Sequence, residues 1–76
     1  KDLNLRQRLL LEHALRHPQT QYTVKSHANS NGIVLATARA DLDGLVRHRL
    51  MVTSKRAKQV IYQLAPGTPK RLAKVR

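Results

Sequence analysis

Apolar positions recur at helical spacing along the first two thirds of this 76-residue chain and then switch to alternation. Leu10 with Ala14 and Leu11 with Leu15 make i, i+4 pairs on a first helix, with Leu9 on its flank. That helix is expected to start at Asn4, where Gln7 three residues later completes a capping-box pattern, and to stop at Pro18. Tyr22 and Thr23 form a short extended stretch, and Thr23 caps a second helix in which Val24 and Ala28 look inward. Asn31-Gly32 closes it, since both residues tolerate positive φ. A third helix is expected from about Leu35 to His48. Ile33 just before it shares one stripe with Ala38, Leu42 and Leu45, and Arg39, Asp43 and Arg47 lie opposite.

After His48 the period changes. Met51-Val52-Thr53-Ser54 and Gln59 to Leu64 are β-prone, the second with Val60, Tyr62 and Leu64 on one face, and the basic run Lys55-Arg56-Ala57-Lys58 lies between them. Two strands with a basic tip, placed after a helix-turn-helix, make a wing. The expected fold is α+β: a winged helix-turn-helix of three helices plus a two- or three-stranded antiparallel sheet, occupying residues 1–65. Residues 66–76, with Pro-Gly-Thr-Pro followed by Lys70, Arg71, Lys74 and Arg76, have no apolar face and are expected to form a basic, disordered tail.

Charge narrows the function. Fifteen Lys and Arg against four Asp and Glu give a net charge of +11, which points to a polyanion, nucleic acid first and an anionic membrane surface second. Tyr22 and Tyr62 are the only aromatic residues, too few for a base-stacking platform of the single-strand-binding kind. Without cysteine there is no disulfide, no thiol chemistry and little prospect of structural zinc. No apolar run reaches membrane-spanning length and no secretion signal is present, so a soluble cytoplasmic protein is expected, without membrane or small-molecule partner. A chain that begins at Lys1 also reads as part of a larger protein.

The candidate nucleic-acid contacts follow from the third helix and the wing. Arg39, near the start of the helix, can donate two hydrogen bonds to guanine or bridge to phosphate, and Arg47 further along suits a phosphate. Leu35, Ala36 and Ala40 offer an apolar surface on the same side, suited to a thymine methyl or to a protein partner. Asp43 would repel phosphate there unless it is paired or reads cytosine. Lys55, Arg56 and Lys58, with Lys25 at the start of the second helix, can neutralise phosphates.

Other residues support duller readings. His13 and His17 are spaced to share a metal, but no third ligand accompanies them, so no metal or cofactor is expected. His27 is expected as a partly buried filler and His48 as a turn or phosphate-facing residue. Ser26, Ser30 and Ser54 lack a base and an orienting carboxylate, which argues against an enzyme. Asp41 is expected to fix the third helix by pairing with a cation or a backbone donor. Gly44 in mid-helix costs about 1 kcal/mol relative to alanine, so close packing against it is expected.

Gly32, Thr37, Asp41, Leu42 and Leu45 in this register, followed by a strand ending in Tyr62, resemble the small winged helix at the C-terminal end of Fic-family (filamentation induced by cyclic AMP) proteins. From Thr23 to Met51 the chain more distantly resembles the winged-helix domains of DeoR-type bacterial regulators. The resemblance implies duplex DNA as partner. Alternatively, it implies a protein-interaction or self-association module that positions a neighbouring AMP-transferase domain. The His-x-Phe-x-x-x-Asn-Gly-Arg loop that performs AMP transfer in that family is absent, so such activity would lie outside this chain. Four departures bear on the site. Val34 stands where a Ser or Thr cap is usual, His27 and Asn31 where leucine is commoner, Arg49 where a glycine ends the helix, and Arg39-Ala40 where two basic residues are frequent.

Overall fold

The structure, a computed structural model, describes residues 3–66. The expected basic tail lies outside the described residues except for Pro66. Three helices, α1 (Leu5–Arg16), α2 (Val24–Asn31) and α3 (Leu35–Arg47), pack on a sheet of β1 (Gln21–Tyr22), β2 (Met51–Arg56) and β3 (Gln59–Leu64). The sheet is antiparallel with order β1-β3-β2, so the short strand before α2 closes the far edge of the wing hairpin. This is the winged helix-turn-helix, with the larger of the two expected sheets.

Local chemistry explains the boundaries. Asn4 Oδ1 accepts from Gln7 N while Gln7 Oε1 accepts from Asn4 N, both at 2.8 Å, so the capping box of α1 is complete. Thr23 and Ser26 make a second, reciprocal box at α2, a pairing that Thr23 alone did not announce. Gly32 takes the left-handed φ of 61° that ends α2. At the end of α3, Arg49 adopts φ 62°, with Arg49 N bonded to Val46 O and Leu50 N to Leu45 O. That is a Schellman cap built without glycine, and it leaves the conformational strain on an arginine.

The core forms where the stripes meet. Ala38, Leu42 and Leu45 of α3 are buried with Ala14, Tyr22, Met51, Tyr62 and Leu64, and Leu10, Leu11 and Leu15 of α1 pack against this core. Ile33 is only half-buried. Alternation in β3 holds for Tyr62 and Leu64 but breaks at Val60, which is exposed, and at Ile61, which is buried on the opposite pleat. The wing is tighter than expected. Lys55 pairs with Val60 and Arg56 with Gln59, so both cations belong to the ladder and the loop is Ala57-Lys58 alone. Ala57 carries φ 56° at the first central position, where a type II′ turn favours glycine.

One carboxylate ties the three helices together. Asp41 of α3 is 3% exposed. Its Oδ2 accepts from Arg6 Nε at 2.7 Å and His27 Nε2 at 2.9 Å, and its Oδ1 from Asn4 Nδ2 at 2.9 Å and Arg6 Nη2 at 3.1 Å. The Asp41 backbone carbonyl also accepts from Gln7 Nε2 at 2.9 Å. His27 is therefore no filler. With Asn31 Nδ2 donating to its Nδ1 at 3.1 Å, the imidazole carries its proton on Nε2 and gives that hydrogen bond to Asp41. Every buried side-chain polar atom among the described residues has a partner, which is what lets so polar a junction sit inside a small core.

Gly44 belongs to the same junction. A Cβ there would collide with Gln7 Nε2, so the missing side chain is the space in which Gln7 crosses from α1 to α3.

Two outcomes follow. Burial alone would raise the Asp41 pKa, but hydrogen bonds from Arg6, Asn4 and His27, with the Arg6 charge, outweigh it and hold the group at about 2, against 3.8 in a model peptide. A depressed pKa contributes stability that is complete above pH 3.8 and lost as pH falls towards 2. Urea unfolding followed by circular dichroism across that window should show a loss of about 2 kcal/mol that is absent in Asp41→Asn. Gly44→Ala should destabilise by about 1 kcal/mol despite its better helix propensity, yet stabilise when placed on a Gln7→Ala background.

Candidate nucleic-acid interface

The helix-turn-helix sets the N-terminal ends of α2 and α3 side by side, and the wing hairpin folds up beside them. An open groove of about 530 Å3 lies between these elements. Lys25 reaches it from α2, Arg39 from α3 and Lys58 from the wing turn. Three cations dispersed along the sequence thus share one depression. Its apolar wall comes from Leu35 and Ala36 on α3 and from Val24 and Val60. Thr23 and Gln59 complete the lining.

The remaining candidates lie around this groove rather than in it. Ala40 and Arg47 are exposed on α3, and Lys55 and Arg56 on β2, but none lines the depression. Asp43 is half-buried and accepts a hydrogen bond from the Tyr62 hydroxyl at 2.9 Å. Burial first, then that hydrogen bond and the Asp43 charge, push the Tyr62 phenol above its ordinary pKa, while the Arg39 charge acts the other way. Asp43 is thus paired within the fold, and among the described residues no ion pair joins it to Arg39. Among the described residues no carboxylate lines the groove: Asp41 is buried, Asp43 is held by Tyr62 and Glu12 lies on α1.

The start of α3 is open. Val34 keeps the N-cap position and makes no side-chain cap hydrogen bond, so the first-turn amides lack the acceptor a Ser or Thr would supply. Val24, Val60, Gln59 and Thr23 were missed by sequence reasoning. Val24 read as core, Val60 as the inward face of a strand, and Thr23 as a cap only. The position of Val60, an apolar residue directly after Lys58 and Gln59 at the wing tip, is the one signal that could have found it.

The histidine pair on α1 has a different setting. His13 Nδ1 lies 2.6 Å from the Tyr22 hydroxyl, and the His13 and His17 rings are 4.8 Å apart. Among the described residues no three potential ligands come together as a metal site, and no helix is long and apolar enough to cross a membrane. His48 is the exposed C-cap of α3.

No protein-family model matches the chain, and no curated protein matches it significantly. Solved structures do. The chain is similar to the homodimeric winged helix-turn-helix DNA-binding domain of a possible ArsR-family transcriptional regulator from Mycobacterium bovis, with 26% identity and a TM-score of 0.72 over 95% of this chain and 64% of that one. It is similar to MepR, a transcription regulator of the Staphylococcus aureus multidrug efflux pump MepA, with 20% identity and a TM-score of 0.75 over 96% and 55%. A third similar structure is the adhesin competence repressor AdcR of Streptococcus pyogenes, with 17% identity and a TM-score of 0.72 over 96% and 55%. The chain spans 55–64% of the length of these three structures. The fold is that of winged-helix domains of transcription regulators. The resemblances to Fic-family and DeoR-type proteins gain no support from these comparisons.

Proposed function

We propose that this chain is the duplex-DNA-binding module of a larger bacterial transcription regulator, acting in the cytoplasm and performing no chemistry itself. The observation that carries the reading is the convergence of Lys25, Arg39 and Lys58 on one groove, which none of the described carboxylates lines, at the exposed start of α3. In this reading the N-terminal half of α3 enters the major groove, Arg39 meets a base edge, and Lys25 and Lys58 grip phosphates on either side. Arg47, Lys55 and Arg56 extend the cationic rim. The uncapped amides of α3 add a partial positive charge at the same end. The similar M. bovis domain, named as a DNA-binding domain, supports the assignment.

Self-association is a second reading, favoured by Leu5 and Leu9, which are exposed one turn apart on α1, and by the homodimeric state of the M. bovis domain. A dimer would present two α3 helices to two half-sites. The expected interaction surface of Leu35, Ala36 and Ala40 lies instead on the side of α3 assigned to DNA.

Fluorescence anisotropy with labelled duplex should show binding that weakens steeply with salt, log K falling by about 0.9 per log unit of salt for each phosphate neutralised. Lys58→Ala should weaken all sequences alike and lower that slope by about 1, whereas Arg39→Ala should cost about 1–3 kcal/mol on a preferred sequence and flatten the preference. Affinity indifferent to salt would overturn the reading. Sedimentation of the wild-type chain should depend on concentration, and Leu9→Glu should remain monomeric throughout while keeping its circular dichroism spectrum.

A further inference from the structure

The cations of the groove account for affinity, but the surface between them is apolar, and this bears on which bases it can meet. Leu35 is 58% exposed and Val60 42%, large apolar areas set among the cations of the groove, and Val34 at the N-cap of α3 is 68% exposed. Ala36 and Ala40 are exposed beside them on α3. Over the first two turns of that helix Arg39 is the one exposed side chain that can donate a hydrogen bond, since Thr37 is half-buried.

An apolar side chain pressed on a base edge strips water from the polar atoms it covers. Over guanine O6 and N7, cytosine N4 or adenine N6 this leaves unpaired donors or acceptors and opposes binding. The major groove holds one apolar group, the C5-methyl of thymine. We infer that the α3 surface of Leu35, Ala36 and Ala40 reads thymine methyl groups in duplex DNA, with Arg39 supplying the single hydrogen-bonded base contact, to guanine. The inference rests on the DNA-binding reading above and adds the sequence class: thymine-rich sites interrupted by a guanine.

Two features make the contact selective rather than merely greasy. The junction at Asp41 locks α3 against α1 and α2, so Leu35 meets the groove from a fixed backbone. Lys25 and Lys58 hold the flanks of the depression, which limits how far the helix can slide away from an unfavourable base.

Selection from a pool of randomised duplexes should enrich sites in which thymines adjoin one guanine. Replacing those thymines singly with deoxyuridine removes only the methyl and leaves the minor groove and the phosphates intact. Affinity should fall about fourfold for each methyl that is buried in the contact, with the salt slope unchanged. Leu35→Ala, a change at an exposed position, should bind thymine and uracil alike at the one position that Leu35 covers and keep the methyl preference at the others. Equal affinity of the wild type for both, with a steep salt slope retained, would overturn the inference and leave the DNA-binding reading standing. Enriched sites that lack thymine would do the same. Failure to bind any duplex would overturn both.

Discussion

The geometry of the groove depends on a single buried carboxylate. Asp41 takes hydrogen bonds from Asn4 and Arg6 at the start of α1 and from His27 in α2, so three helices that meet few other polar partners are fixed to one point. A buried charge is costly unless its lone pairs are occupied, and here both oxygens are occupied twice. The apolar stripe of Ala38, Leu42 and Leu45 attaches α3 to the core but leaves it free to roll or slide. The directional bonds at Asp41 remove that freedom and decide which residues face outward.

The same junction explains residues that look unfavourable alone. His27 and Asn31 stand where apolar side chains would fill a core, yet together they set the tautomer that serves Asp41. Gly44 weakens α3 as an isolated helix but gives Gln7 a passage, and Gln7 in turn joins the cap of α1 to the Asp41 carbonyl. The local rule broken at each position is repaid by a contact thirty or more residues away in the case of Gln7, and by one across the helix-turn-helix in the case of His27.

How much was legible in the sequence follows the same division. Caps, turns and stripes are local, and Asn4, Thr23, Gly32 and the α3 stripe were all readable from spacing. A cation or a backbone donor was expected for Asp41, but Arg6, Asn4 and His27 could not be named as its partners from the residues alone. The groove cations supplied by helices, Lys25 and Arg39, were readable from the residues. Val60 was not, because strand alternation puts it on the face of Tyr62 and Leu64, and only the ending of the core beneath the wing exposes it. Asp43 was similarly opaque: its partner Tyr62 lies on β3, beyond the reach of helical spacing.

The wing turn carries a last consequence. Because Ala57-Lys58 is as short as a hairpin loop can be while β2 and β3 stay paired up to it, the hairpin has no slack. Its cationic tip stands off from α3 by a distance that strand register dictates, so the two jaws act as a fixed caliper. Any partner must bring the matching width ready-made, and lengthening the turn by even a residue or two would trade that gauge for reach.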